Sequence, residues 1–156
     1  ANVELVMARP TCPGRYIVVI AGDTGAVQSS VEVGREIAAD MAVDWFTIPS
    51  VHTDVFPALS GTSILPKIDA LGVIETCTTA ACILAADSAA KSAAVHLIEI
   101  RMAAGLGGKA FVTMTGDVGS VKAAVEAGVA GVGDAGPVHS HVVIPSPSGE
   151  LKDHLL

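Results

Sequence analysis

The chain contains the same stretch twice. Ile17–Val27 (IVVIAGDTGAV) is echoed by Phe111–Val121 (FVTMTGDVGSV), and Val31–Gly34 aligns with Val125–Gly128 at the same offset. Upstream, Ala1–Leu5 matches Ala93–Leu97 and Arg9 falls opposite Arg101. Downstream, Ile48-Pro49-Ser50 matches Ile144-Pro145-Ser146. The order of all these matches is preserved, which marks a duplication. Self-similarity of this kind means that one supersecondary unit is built twice.

The repeat sets the domain organisation. A first unit spans residues 1–52, a linker 53–67, a second unit 68–147 and a tail 148–156. The linker reading rests on Pro57, Gly61 and Pro66. The first unit opens at the equivalent of Ala93, so it lacks a counterpart of Ile68–Ser92. Ala1 is not an initiator methionine, and the expectation is an upstream strand and helix homologous to that stretch.

Periodicity assigns the elements of the fuller unit. Leu71–Thr76 is a short apolar run, as a buried strand is. Thr78 or Thr79 can cap a helix that runs to Ser92 with Ala, Ile and Leu on its inner face. Val95–Met102 alternates as a strand, residues 103–108 turn, and Lys109–Thr115 returns. Gly116–Gly119 leads into a helix to about Val129, and Val138–Ile144 closes the unit. The order β-α-β-β-α-β predicts an α/β (α+β) fold of tandem ferredoxin-like split β-α-β units.

Composition narrows the possible partners. The net charge of −7 argues against nucleic acid, whose phosphates need a positive surface. It argues equally against an anionic membrane surface. Hydrophobic residues make up 51% of the chain but aromatics only 3%, so the core is built from Ala, Val, Ile and Leu. The mean hydropathy of +0.58 is high. The apolar runs Tyr16–Ala21 and Ala80–Ala86 are far shorter than the ~20 residues of a spanning helix. Subunit interfaces are then the expected outlet for the excess apolar surface. Three cysteines without paired spacing fit a reducing compartment better than a disulfide scaffold.

Ordered motifs carry a family resemblance. Gly72–Thr76, Ala85-Ala86-Asp87, the Gly107-Gly108-Lys109 turn, Gly116–Gly119 and Val142–Pro145 resemble the shell domain of bacterial microcompartments. Two such domains in one chain resemble the tandem class, which assembles as homotrimers that mimic hexamers. The turn Thr11-Cys12-Pro13-Gly14-Arg15 is similar to that of the T-type shell proteins of propanediol-utilisation microcompartments. The resemblance implies a central pore lined by Thr11, Cys12, Pro13, Gly14, Leu106, Gly107 and Gly108. It further implies an iron–sulfur cluster, of the 4Fe-4S kind, held by Cys12 from three subunits. Its implied partners are other shell proteins and encapsulated redox enzymes, with no nucleic acid and no membrane. The implied location is a bacterial microcompartment within the cytoplasm.

Other candidate chemistry is weighed on the residues themselves. One cysteine per chain cannot hold a cluster, which needs several thiolates. Cys77 and Cys82, five apart, read as buried structural thiols. The two Gly-Asp-x-Gly turns could cradle a phosphate at a helix N-terminus, but Asp23 and Asp117 would repel it and read better as caps. His139 and His141 alternate on one strand, with no carboxylate spaced nearby to complete a metal site. Trp45 and Phe46 read as core or interface residues, and Glu75 as an interface or capping carboxylate. Nothing resembles a Ser–His–Asp or Cys–His nucleophile set, so the chain reads as structural rather than enzymatic. Two alternatives stand beside the cluster-bearing shell protein. One is a shell protein whose pore conducts metabolites without a cluster. The other is a ferredoxin-like regulatory domain that binds an anion.

Overall fold

The structure, a computed structural model, describes residues 1–64, 67–102, 105, 107–133, 136–152 and 154–155. The second unit contains β3 (Ala70–Thr76), α3 (Thr79–Ser92), β4 (His96–Met102), β5 (Ala110–Gly116), α4 (Val118–Val132) and β6 (Val138–Ile144). Its sheet has the order β4-β5-β3-β6 with every neighbour antiparallel. That is the expected split β-α-β arrangement, with α3 and α4 packed together over one face. The helices sit close because small residues face the sheet. A Cβ on Gly72 would come within 2.8 Å of Val121 and 2.9 Å of Val125. One on Gly128 would lie 2.6 Å from Ile74 and 2.9 Å from the Ala85 carbonyl. Ala81, Ala85, Ala86 and Ala89 are fully buried in the same layer. The near absence of aromatics thus becomes a short helix-to-sheet distance.

The first unit contains β1 (Val3–Thr11), β2 (Arg15–Gly22) and α1 (Thr24–Ala38). It repeats the second unit down to its irregularities. The β1–β2 hairpin has a bulge between Leu5 and Met7, and the β4–β5 hairpin has one between Leu97 and Glu99. Arg9 pairs with Ile17 across the first hairpin as Arg101 pairs with Phe111 across the second.

The first unit differs where β3 and α3 have no counterpart. The closing strand β6 forms its ladder on β3 alone. The chain after α1 has no such strand to pair with, and residues 42–48 form no strand. Likewise α1 has no helix against its inner face among the described residues. It buries no residue, and Ile37, which stands where α4 has Gly131, is 78% exposed.

The connection between the units is more than a spacer. It folds into the helix α2 (Val55–Ser60), which buries Val55, Ala58 and Leu59 against β4 and α3 and ends on Gly61 at φ 68°. The Pro57 that suggested linker chain lies inside the first turns of this helix, where a missing N–H costs little. A short helix α5 (Gly149–Lys152) follows β6 in the tail.

Candidate functional site

The tight hairpin turn between β1 and β2 carries the exposed Cys12. Gly14 supplies the left-handed residue, φ 78°, that closes it. The Cys12–Pro13 peptide bond is cis. The turn does not stand alone in solvent. A Cβ on Gly108, between β4 and β5, would lie 3.0 Å from Pro13 Cδ, 3.3 Å from Arg15 Nη1 and 3.5 Å from the Cys12 carbonyl oxygen. Gly108 itself has φ 93°. The two hairpin turns of the repeat are therefore side by side, and the close approach together with the positive φ favours a residue without a side chain between them. Thr11, Cys12, Pro13, Gly14, Gly107 and Gly108 all belong to this region. Leu106 lies outside the described residues.

The other cysteines are set apart from it. Cys82 is fully buried in α3, and burial pushes its thiol up to about 12. Cys77 is half-buried, not fully buried as the sequence suggests. Among the described residues, no three or more His, Cys, Asp or Glu gather as a metal site within the chain.

Beside the turn, Lys109 reaches back to Glu75 on the central strand, Nζ to Oε1 2.9 Å. Glu75 also accepts the Ser140 hydroxyl at 3.0 Å, and His139 Nε2 lies 3.8 Å from Oε2. The lysine above all, then the serine and histidine, holds the Glu75 carboxyl below its ordinary value. The sequence reading finds no carboxylate near His139. The structure supplies one, because β6 pairs with β3 and places Ser140 opposite Glu75. The signal was present in the predicted strand order but requires knowing the register.

The Gly-Asp-x-Gly turns are closed to anions. Asp117 accepts the backbone N–H groups of Gly119 and Ser120 at 2.9 and 3.0 Å, and the Ser120 hydroxyl bonds its other oxygen. Asp23 likewise accepts from Gly25 N–H at 3.1 Å. Each helix N-terminus is filled by its own carboxylate, as a cap. Trp45 lies on the surface beneath the Arg35 guanidinium, 4.6 Å from the ring centroid, and not in the chain's core.

The BMC domain model matches residues 1–51 and 70–147, both halves of the repeat. This chain belongs to the BMC-domain family. The bacterial microcompartment shell protein PduT of Citrobacter freundii is 41% identical over 147 residues, covering 94% of this chain and 80% of that protein. The shell protein EutM of Salmonella typhimurium is 38% identical over 86 residues, 55% of this chain and 88% of its own length. A crystal structure of a microcompartment protein from Desulfitobacterium hafniense superposes with a TM-score of 0.89 at 51% identity. It covers 98% of this chain and 85% of that one. The protein is a structural shell protein of a bacterial microcompartment. No described helix of this shell protein is long and apolar enough to cross a membrane.

Proposed function

We propose that three copies of this shell protein close into a pseudohexameric facet tile, with the Thr11–Gly14 turns around a central pore. The tile packs against related shell proteins. The observation that carries this reading is the seating of the Thr11–Gly14 turn beside Gly108. It brings the corresponding hairpin turns of both units to one place in each chain. Three tandem chains then bring six such turns to one axis.

Within that pore, Cys12 from each subunit is the ligand for an iron–sulfur cluster of the 4Fe-4S kind. The donor set fits only as a shared one, because each chain offers a single exposed thiol and a cluster needs several. When bound, the cluster supplies one-electron redox chemistry, for passing electrons or the cluster itself across the shell to encapsulated redox enzymes. The protein's part is to hold the thiolates on the axis and to offer backbone N–H groups to the sulfurs.

The test is anaerobic reconstitution with iron and sulfide, followed by iron and acid-labile sulfide analysis. Cys12→Ser loses stoichiometric iron and the brown colour, whereas Cys77→Ala and Cys82→Ala keep both. Equal iron in wild type and Cys12→Ser would leave the pore as a plain metabolite conduit.

A further inference from the structure

A left-handed glycine followed by a cation ends the turn of each hairpin. Gly14-Arg15 in the first unit is matched by Gly108-Lys109 in the second, and the two glycines take φ 78° and 93°. The two cations reach in different directions. Arg15 crosses to the other unit, where a Cβ on Gly108 would lie 3.3 Å from its Nη1. The Cys12 carbonyl oxygen meets the same point at 3.5 Å. The guanidinium and the backbone of Cys12 therefore share one neighbour. Lys109 begins one residue further along and leans on Glu75, Nζ to Oε1 2.9 Å, with its side chain still 34% exposed.

This placement matters because the chain as a whole is negative. Its net charge of −7 opposes the addition of an electron to any group on the axis. Screening decides between the two influences. At physiological salt, the field of an exposed charge fades over about 8 Å. Distant carboxylates are then felt weakly and the charges beside the turn strongly. In the trimeric reading, three Arg15 guanidiniums and three Lys109 ammoniums stand around the Cys12 thiolates. A thiolate-bound cluster becomes more negative on reduction, and nearby cations stabilise the more negative state. Glu75 acts in the opposite sense, because it cancels part of the Lys109 field.

We propose that Arg15, together with Lys109, raises the reduction potential of the group held at Cys12, and that Glu75 moderates the effect. This rests on the cluster reading above and names the residues that set its redox behaviour. Both cations act through space and need no bond to iron or sulfur.

Anaerobic redox titration of the reconstituted full chain, followed through the cluster's visible absorption, tests this. Arg15→Gln and Lys109→Gln each move the midpoint to lower potential, and Glu75→Gln moves it higher. Arg15→Lys keeps the charge and stays near wild type. Lys122→Gln removes the same charge from an exposed position on α4, past the far end of β5, and leaves the midpoint where it was. Added salt shrinks the differences between variants. Iron and sulfide per chain stay equal across the set. Arg15→Gln and Lys109→Gln that both load fully and keep the wild-type midpoint would overturn this inference and leave the cluster reading standing. Loss of iron from both, with normal loading in Arg15→Lys, would make them structural residues and overturn it as well. A wild type that takes up no iron would overturn the cluster reading and this inference with it.

Discussion

Asp87 accepts the backbone N–H of His52 at 2.7 Å through one carboxylate oxygen and binds Lys91 Nζ at 2.6 Å through the other. Lys91 in turn donates to the Pro49 carbonyl at 3.3 Å. One ion pair on α3, four residues apart and with Asp87 only 3% exposed, therefore ties the chain leaving the first unit onto the second. Asp87→Ala leaves the His52 N–H and the ammonium without their partner. A loss of roughly 2–3 kcal/mol in denaturant unfolding is expected, with Asp87→Asn losing less because its amide oxygen can still accept from His52. An Asp87→Ala midpoint equal to wild type would show that the tether is idle.

Gly128 in α4 leaves no room for a side chain. A Cβ there meets Ile74 and the Ala85 carbonyl, and overpacking of this kind costs about 1–3 kcal/mol. Thermal unfolding of Gly128→Ala beside wild type checks the loss, and an unchanged midpoint would show that the helix and sheet can move apart freely.

The Glu75 cluster gives a pH signature. Lys109 holds the folded Glu75 carboxyl below its ordinary value of 4.5. The stability this contributes is fully present above that ordinary value and is lost as pH falls through the lower, folded one. Glu75→Gln is therefore less stable than wild type at neutral pH, and the gap closes in acid. A gap of the same size at pH 7 and in strong acid would separate Glu75 from this titration.

The thiols separate by reactivity. In the folded, cluster-free protein at pH 8, an alkylating reagent followed by peptide mass spectrometry finds the exposed Cys12 modified and Cys82 protected. Cys82 is fully buried, its thiol stays protonated at that pH, and it labels only on unfolding. Rapid native labelling of Cys82 would mean that α3 opens readily.

The repeat and its alternation made nearly all of the second unit legible. β3, α3, β4, β5, α4 and β6 stand within a few residues of their expected places, because each has a period or a cap that its own sequence declares. The α4 helix runs on to Val132, past the expected end near Val129, and stops only where Gly133 takes φ 49°. What the sequence hid was relational. Val55–Ser60 has too few residues to show a helical period, and its helix is stabilised by burial of Val55 and Leu59. The neighbourhood of Glu75, Lys109 and His139 depends on strand register, which no local pattern reveals. Cys12 could be singled out as an exposed loop thiol, but its place beside Gly108 follows from how one unit sits on the other.

The central claim is that three chains meet at Cys12, and native mass spectrometry of the anaerobically reconstituted full chain tests it most directly. The expected spectrum holds three chains plus the mass of one iron–sulfur cluster, and Cys12→Ser gives three chains alone. A single chain as the dominant species, or the cluster mass retained in Cys12→Ser, would contradict the account.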